Sequence, residues 1–336
     1  MLHDSLTQDS DTHGGVPHDG VPQDGVPHDG VPQDGVTHDS LTRDGLALRI
    51  LRGESAAHRE TVLFVNAVGM PLDLFDALAR QFAAAGLNFV TWEMRGSPGP
   101  GRRADDSRLA DHVEDALAVL DHVGAGPVHL AGWCTGASVA LALAGRRDSP
   151  ALSLTSVDGA YLFGGVPGGP MGNAMFEMCG DIVADPAAAE RYHEMTRPRG
   201  NEAQVMGLPD SPELVERLTL PYRGTTMDLL RYAYAIRAAC DYDPAEAWAR
   251  ITCPVLLTAR TDDRMVSYRN SARAAELVGG ARLMVSPSGG HYGLFTDTAA
   301  VPAMARFMRA ARAERAERAE RAERVPATAV KAVPAP

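Results

Sequence analysis

Six short β-rich runs recur along the chain, separated by helix-length stretches, and that alternation leaves few folds open. The runs are ETVLFVNAV (Glu60–Val68), NFVTWEM (Asn88–Met94), PVHLAGW (Pro127–Trp133), LSLTSVDG (Leu152–Gly159), PVLLTAR (Pro254–Arg260) and ARLMVSP (Ala281–Pro287). Helix candidates between them are LFDALARQFAAAG, LADHVEDALAVLDHV and ASVALALAGRR. Strand and helix in turn predict an α/β fold, a mostly parallel sheet with helices on both faces. The alternation breaks once. From 160 to 250 only broken helical pieces appear, opened by GGVPGGPMGNAMFEM, and an inserted helical cap over the sheet is expected there. The α/β core then comprises 47–159 and 251–311.

The flanks differ in kind. Residues 1–46 repeat five-residue units, GVPHD and GVPQD in turn and then GVTHD, with SLTQD and SLTRD as looser copies. Pro and Gly punctuate each unit and no aromatic residue appears, so a disordered tail is expected over 1–46. Five of the eleven histidines lie there beside aspartates, but without fixed ligand geometry; a solvated tail is favoured over metal capture, and no metal or cofactor is expected. After 312 the chain reads AERAERAERAER (Ala313–Arg324) and then a Pro/Ala-rich end. Glu314–Arg318, Glu317–Arg321 and Glu320–Arg324 are i,i+4 pairs in the favourable order, which extends the last helix. A three-residue repeat drifts around a helix and builds no seam, so this extension is read as solvated.

The net charge of −11 comes mostly from the first 46 residues, where nine Asp and one Arg supply −8 of it. The rest is nearly neutral, which points away from nucleic acid and from acidic membrane surfaces. No apolar stretch reaches the roughly 18 residues of a spanning helix, and the start MLHDSLTQDS lacks the basic and apolar regions of a secretory signal. Four scattered cysteines (Cys134, Cys179, Cys240, Cys253) suggest neither a disulfide framework nor a zinc site. A soluble, reduced, cytoplasmic protein is expected.

One stretch carries most of the chemistry. In AGWCTG (Ala131–Gly136) a strand runs into Cys134 and straight on into a helix. Gly132 and Gly136 are the small residues that such a tight turn needs, and the turn places the Thr135 amide, at a helix N-terminus, beside the sulfur. Amides so placed lower a thiol pKa and stabilise developing anions.

From Glu60 to Phe307 the chain resembles an α/β-hydrolase-fold protein, with several motifs in that family's order. FVNAVGM (Phe64–Met70) stands where the family has its His-Gly oxyanion loop, with Asn66 and Ala67 in place of that pair. TWEMRGSPGPG (Thr91–Gly101) resembles the D-x-R-G-x-G loop, with Glu93 in the Asp place, where a structural anchor is expected. GWCTG is the nucleophile elbow with cysteine for serine, TDDRMVS (Thr261–Ser267) looks like the acid loop, and SPSGGHYG (Ser286–Gly293) looks like the histidine loop. The resemblance implies Cys134 as nucleophile, His291 as general base and Asp263 as orienting acid, in the chain order of this fold. Asp262 and Asp158 stay open as alternative acids, and inert filling stays open for Cys134. The implied oxyanion donors are the backbone amides of Val68 and Thr135.

The cysteine elbow is similar to those of polyhydroxyalkanoate synthases and dienelactone hydrolases, although the synthases' extended pattern is missing. Sulfur favours thioesters as substrates, because thiolate attack on an acyl thioester is near thermoneutral and keeps the acyl group activated. The expected activity is therefore acyl transfer, from a coenzyme A or carrier-protein thioester to Cys134 and on to an acceptor. A thioesterase, or an ester or lactone hydrolase, with the same triad is the alternative, and a non-catalytic binding module is a second. A redox sensor would need a resolving cysteine, and none lies in the local sequence. Asn66, Trp133, Met175 and Tyr292 are candidates for the substrate pocket, with core packing the default for Trp92 and Trp133. Within the cap, Met171, Phe176, Met178, Tyr192, Met206, Tyr222 and Tyr232 add apolar lining candidates.

Overall fold

A computed structural model describes residues 35–56, 60–98, 108–197, 199–201, 203–204 and 211–324, the last seven of these by their backbone alone. Eight strands form one sheet: β1 (Val36–Arg43), β2 (Leu46–Gly53), β3 (Thr61–Val65), β4 (Asn88–Trp92), β5 (Val128–Trp133), β6 (Ala151–Val157), β7 (Val255–Arg260) and β8 (Arg282–Ser286). Their spatial order is β1-β2-β4-β3-β5-β6-β7-β8. The β1–β2 and β2–β4 pairs are antiparallel, and every pair from β4 onward is parallel.

The helices of the core are α1 (Asp76–Ala84), α2 (Leu109–His122) and α3 (Thr135–Ala144). The cap adds α4 (Pro170–Ala184), α5 (Ala188–Thr196), α6 (Pro212–Leu218), α7 (Leu220–Arg223), α8 (Thr226–Ala239) and α9 (Pro244–Ala249). The chain then returns to the core with α10 (Tyr268–Leu277) and α11 (Ala300–Arg324). Helix α11 runs unbroken through the AER repeat, as the i,i+4 pairs predict.

Burial on both faces explains why the parallel strands read as continuous apolar runs. On one face α1 and α11 cover Phe64, Phe75, Phe82 and Phe89, whose rings lie 5.4–5.7 Å apart in successive pairs. On the other, α2, α3, α10 and the cap enclose Leu63, Leu130, Leu154, Tyr161 and Trp248. The cap is tied to the acid loop: Met171 donates its amide to the Arg264 carbonyl at 2.9 Å, and Asn270 Nδ2 donates to the Pro167 carbonyl at 2.8 Å. Gly172 permits this approach, since a Cβ there would overlap the Met265 carbonyl.

The first strand corrects the expected extent of the tail. The segment Val36–Arg43 is a strand paired with β2 over its whole length, so the folded core begins well before residue 47. The cause is a hairpin at Asp44-Gly45, both residues with positive φ (52° and 74°), the conformation that two-residue hairpin turns demand. The repeat units before Gly35, with four of the five tail histidines, and the Pro/Ala-rich end after Arg324 lie outside the described residues.

Candidate active site

The end of β5 and the start of α3 form the sharpest turn at the carboxyl edge of the sheet. Cys134 sits between them at φ 53° and ψ −122°, a conformation costly to a residue with a side chain. Its amide donates to the Val157 carbonyl at 3.0 Å and its carbonyl accepts from Ala160 at 3.1 Å, so β6 holds the strained residue in place. Both flanking glycines are required by space. A Cβ on Gly132 would lie 2.7 Å from Ala137, and one on Gly136 would overlap the carbonyls of Val65 and Asn66.

His291 reaches this sulfur from the loop after β8. The imidazole and the Cys134 sulfur wall the same cavity and interact electrostatically, and His291 Nδ1 lies 2.8 Å from Asp263 Oδ2 on the other side. Burial by itself would depress the imidazole, but Asp263 and the Cys134 sulfur beside it outweigh that and raise His291 well above the ordinary range. The other oxygen of Asp263 accepts the amides of Met265 (2.7 Å) and Val266 (2.9 Å), which fixes the carboxylate. Trp133 braces the histidine from below: its Nε1 donates to the His291 carbonyl at 3.1 Å, and its ring contacts those of His291, Tyr292 and Phe295.

The alternative acids serve other ends. Asp262 accepts the amides of Gly289 (3.1 Å) and Gly290 (2.9 Å) and so shapes the histidine loop. Asp158 pairs with Arg260 at 2.5 Å; burial lifts its carboxyl to about 7 even against the pull of that guanidinium. Arg260, which the sequence reading passed over, also packs under the loop, 3.0 Å from the position of a Cβ on Gly289.

Asn66 does not line the cavity: it is fully buried and its Nδ2 donates to the Met70 carbonyl at 3.0 Å, closing the loop after β3. Its short amide, in the place of the family's histidine, is the right length to clamp that turn. The expected Val68 amide lies at the site but is already engaged, donating to Thr135 Oγ1 at 3.0 Å. Thr135 is buried and lines the cavity, and its hydroxyl hydrogen has no acceptor among the described residues. Glu93 forms a two-pronged pair with Arg49 at 3.0 and 2.9 Å, an anchor between β4 and β2.

Two small cavities share the walls Cys134, Thr135, Met175, Ile236 and Met265. One, with about 30 Å³ open to the centre of a water molecule, also meets Val68, Trp133, Tyr222, Tyr232, His291 and Tyr292. The other, about 10 Å³ by the same measure, is closed by Ala160, Phe176, Cys240 and Val266. Burial holds the hydroxyls of Tyr222, Tyr232 and Tyr292 neutral, far above their ordinary pKa. Met175, Tyr292, Phe176, Tyr222 and Tyr232 line these cavities, whereas Met171 lines neither, Met178 packs in the core, Tyr192 is bound to Asp181, and Met206 lies outside the described residues.

Comparison with known proteins agrees with this architecture. The profile of the "Alpha/beta hydrolase family" matches residues 62–305. Among curated proteins, the "Putative carbamate hydrolase RutD" of Caulobacter sp. (strain K31) is 26% identical over 259 residues, 74% of this chain and 89% of that protein. A hydrolase from Pseudomonas aeruginosa PA01 superposes with a TM-score of 0.63 at 20% identity, covering 81% of this chain and 98% of its own. The enol-lactonase of Burkholderia xenovorans LB400 gives 0.60 at 14% identity, over 80% and 99% of the two chains. Among the described residues, no helix is long and apolar enough to cross a membrane.

Proposed function

Since the chain belongs to the alpha/beta hydrolase family, we propose that it is a hydrolase that carries its acyl group on Cys134 and releases it to water. The observation behind this reading is the convergence of Cys134, His291 and Asp263 from three separate loops at one edge of the sheet, His291 sharing a cavity wall with the sulfur and bonded through Nδ1 to Asp263. His291 takes the thiol proton, and the sulfur attacks the carbonyl carbon of a thioester, ester or lactone. A C–S bond forms as the carbonyl π electrons move to oxygen. As the tetrahedral centre collapses, the bond to the leaving group breaks and His291 donates its proton there. Water, deprotonated by His291, then attacks the acyl-cysteine; the C–S bond breaks and the thiolate returns. Asp263 holds the imidazole in the orientation and charge state both halves require.

The developing oxyanion needs donors. The Thr135 amide at the start of α3 supplies one. The Thr135 hydroxyl supplies the second: it accepts from the Val68 amide and so presents its own hydrogen to the site. The Val68 amide thereby acts through the hydroxyl rather than on the substrate, a change from the sequence-based expectation.

The three relatives described above are named as hydrolases or a lactonase, which supports hydrolysis ahead of the acyl transfer expected from the sequence. One observation favours transfer as a second reading: Cys134 is 8% and His291 4% exposed, a closure that would shield an acyl-cysteine from bulk water. The test is the rate of acyl release from p-nitrophenyl acetate and from an acetyl thioester, with and without an added amine or thiol acceptor. Hydrolysis predicts turnover in plain buffer that is lost in Cys134→Ala. Turnover that waits for an acceptor would mean transfer, and turnover unchanged in Cys134→Ala would refute both.

A further inference from the structure

The tetrahedral centre at the Cys134 sulfur has three other substituents, and the walls around it assign each a place. The oxyanion belongs against Thr135. The leaving group must lie within reach of the His291 proton, and so on the side of the cavity walled by His291, Tyr222, Tyr232 and Tyr292. The acyl substituent is left with the second cavity, lined by Ala160, Met175, Phe176, Ile236, Cys240 and Met265 among others besides the two catalytic-turn residues.

That second cavity has a definite chemistry. It offers about 10 Å³ to the centre of a water molecule, close to the minimum that a single water occupies. No Lys, Arg, Asp or Glu lines it, and its one titratable group beyond Cys134, the Cys240 thiol, points to the Ala160 carbonyl at 3.9 Å. Burial pushes that thiol far up, so it brings no charge. The back wall is rigid, since Phe176, Ile236 and Cys240 belong to the buried core where α4 packs on α8.

Resting on the acyl-cysteine reading, we infer that the acyl group this site accepts is short, unbranched and uncharged, of formyl to propionyl size, with Phe176 and Ile236 as its length-limiting wall. A longer chain meets close-packed side chains, and a terminal carboxylate, as in a succinyl group, enters a pocket with no cation in its lining, the Arg237 guanidinium lying against the Phe176 ring rather than on the cavity wall. The leaving-group side is roomier and lined by neutral tyrosine hydroxyls, so discrimination falls on the acyl half.

Two measurements test this. The first is kcat/KM for p-nitrophenyl acetate, butyrate, hexanoate and succinate, in the wild type and in Ile236→Ala. The expected result is a loss of about tenfold or more from acetate to butyrate, with Ile236→Ala moving the optimum toward butyrate while succinate stays poor. The second needs no turnover and uses the wild type alone: the rate of Cys134 alkylation by iodoacetamide, N-butyl iodoacetamide and iodoacetate, each divided by its rate with a free thiol. The inference expects iodoacetamide to lead. Equal rates, or a hexanoate optimum, would overturn the pocket and leave the nucleophile standing. Size-selective alkylation without ester turnover would overturn the hydrolase and leave the pocket.

Discussion

Replacing Thr135 by valine separates the two roles that its side chain combines. The substitution is nearly isosteric in a site only 2% exposed, so the packing of the elbow is kept while the hydroxyl is lost. Two effects follow from the geometry. The reacting oxyanion loses one donor, a loss of about 10²–10³ in kcat. The Val68 amide, now 3.0 Å from a methyl group instead of Oγ1, is left buried without an acceptor, and stability falls by about 1–3 kcal/mol. Serine at the same position retains the hydroxyl and should recover most of both. The assay is kcat and KM on p-nitrophenyl acetate for wild type, Thr135→Val and Thr135→Ser, with urea unfolding of all three. A valine variant that unfolds earlier yet keeps kcat within about threefold of wild type would mean the hydroxyl merely occupies the Val68 amide at rest, and the relay is wrong. A rate increase would say the same more strongly, because it would mark the hydroxyl as an obstacle.

Three further outcomes can be checked with ordinary variants. Asp263→Asn should lower kcat by up to about 10⁴-fold by imposing the wrong tautomer on His291, while Asp262→Asn, whose carboxylate holds only loop amides, should cost far less; equal losses would contradict the assignment of the acid. Gly136→Ala forces a methyl group into the carbonyls of Val65 and Asn66 and should give little folded protein, and a normal melting temperature would show the elbow is looser than described. Fully buried His112 has no hydrogen-bond partner for either ring nitrogen among the described residues, and burial lowers it from 6.5 to about 4, with Asp115 opposing and Arg95 adding to the shift. As pH falls the unfolded chain takes up that proton first, so stability present above pH 6.5 is lost toward pH 4, by about 3 kcal/mol. His112→Leu should flatten that part of the stability profile measured by urea unfolding at stepped pH; an unchanged slope would assign the acid sensitivity elsewhere.

Much of this architecture is legible in the chain because parallel strands, buried on both faces, advertise themselves as apolar runs. The six runs from Glu60 to Pro287 each contain a strand, and AGWCTG marks the turn between β5 and α3 without help from the rest. The hairpin of β1 and β2 was hidden for a local reason: GVTHD continues the pentapeptide repeat in spelling while Val36 already begins a strand, and the Asp44-Gly45 turn looks like one more repeat boundary. At the site, Cys134, His291 and Asp263 follow from residue type and order. Contacts between distant segments do not. Nothing in the sequence says that the Thr135 hydroxyl meets the Val68 amide, that Asp262 is occupied by Gly289 and Gly290, or that Arg260 pairs with Asp158. The closure of the acyl cavity by Phe176 and Ile236 depends likewise on how α4 and α8 meet above the sheet.

The central claim is a covalent one, and its most direct test is intact-protein mass spectrometry after brief incubation with acetyl and propionyl thioesters and acid quenching. Wild type should gain the mass of one acyl group, mapped to Cys134, and lose it on standing in buffer, while Cys134→Ala gains nothing. An adduct on neither protein, together with ester turnover that survives in Cys134→Ala, would contradict the account and leave Cys134 as an apolar filler of a strained turn.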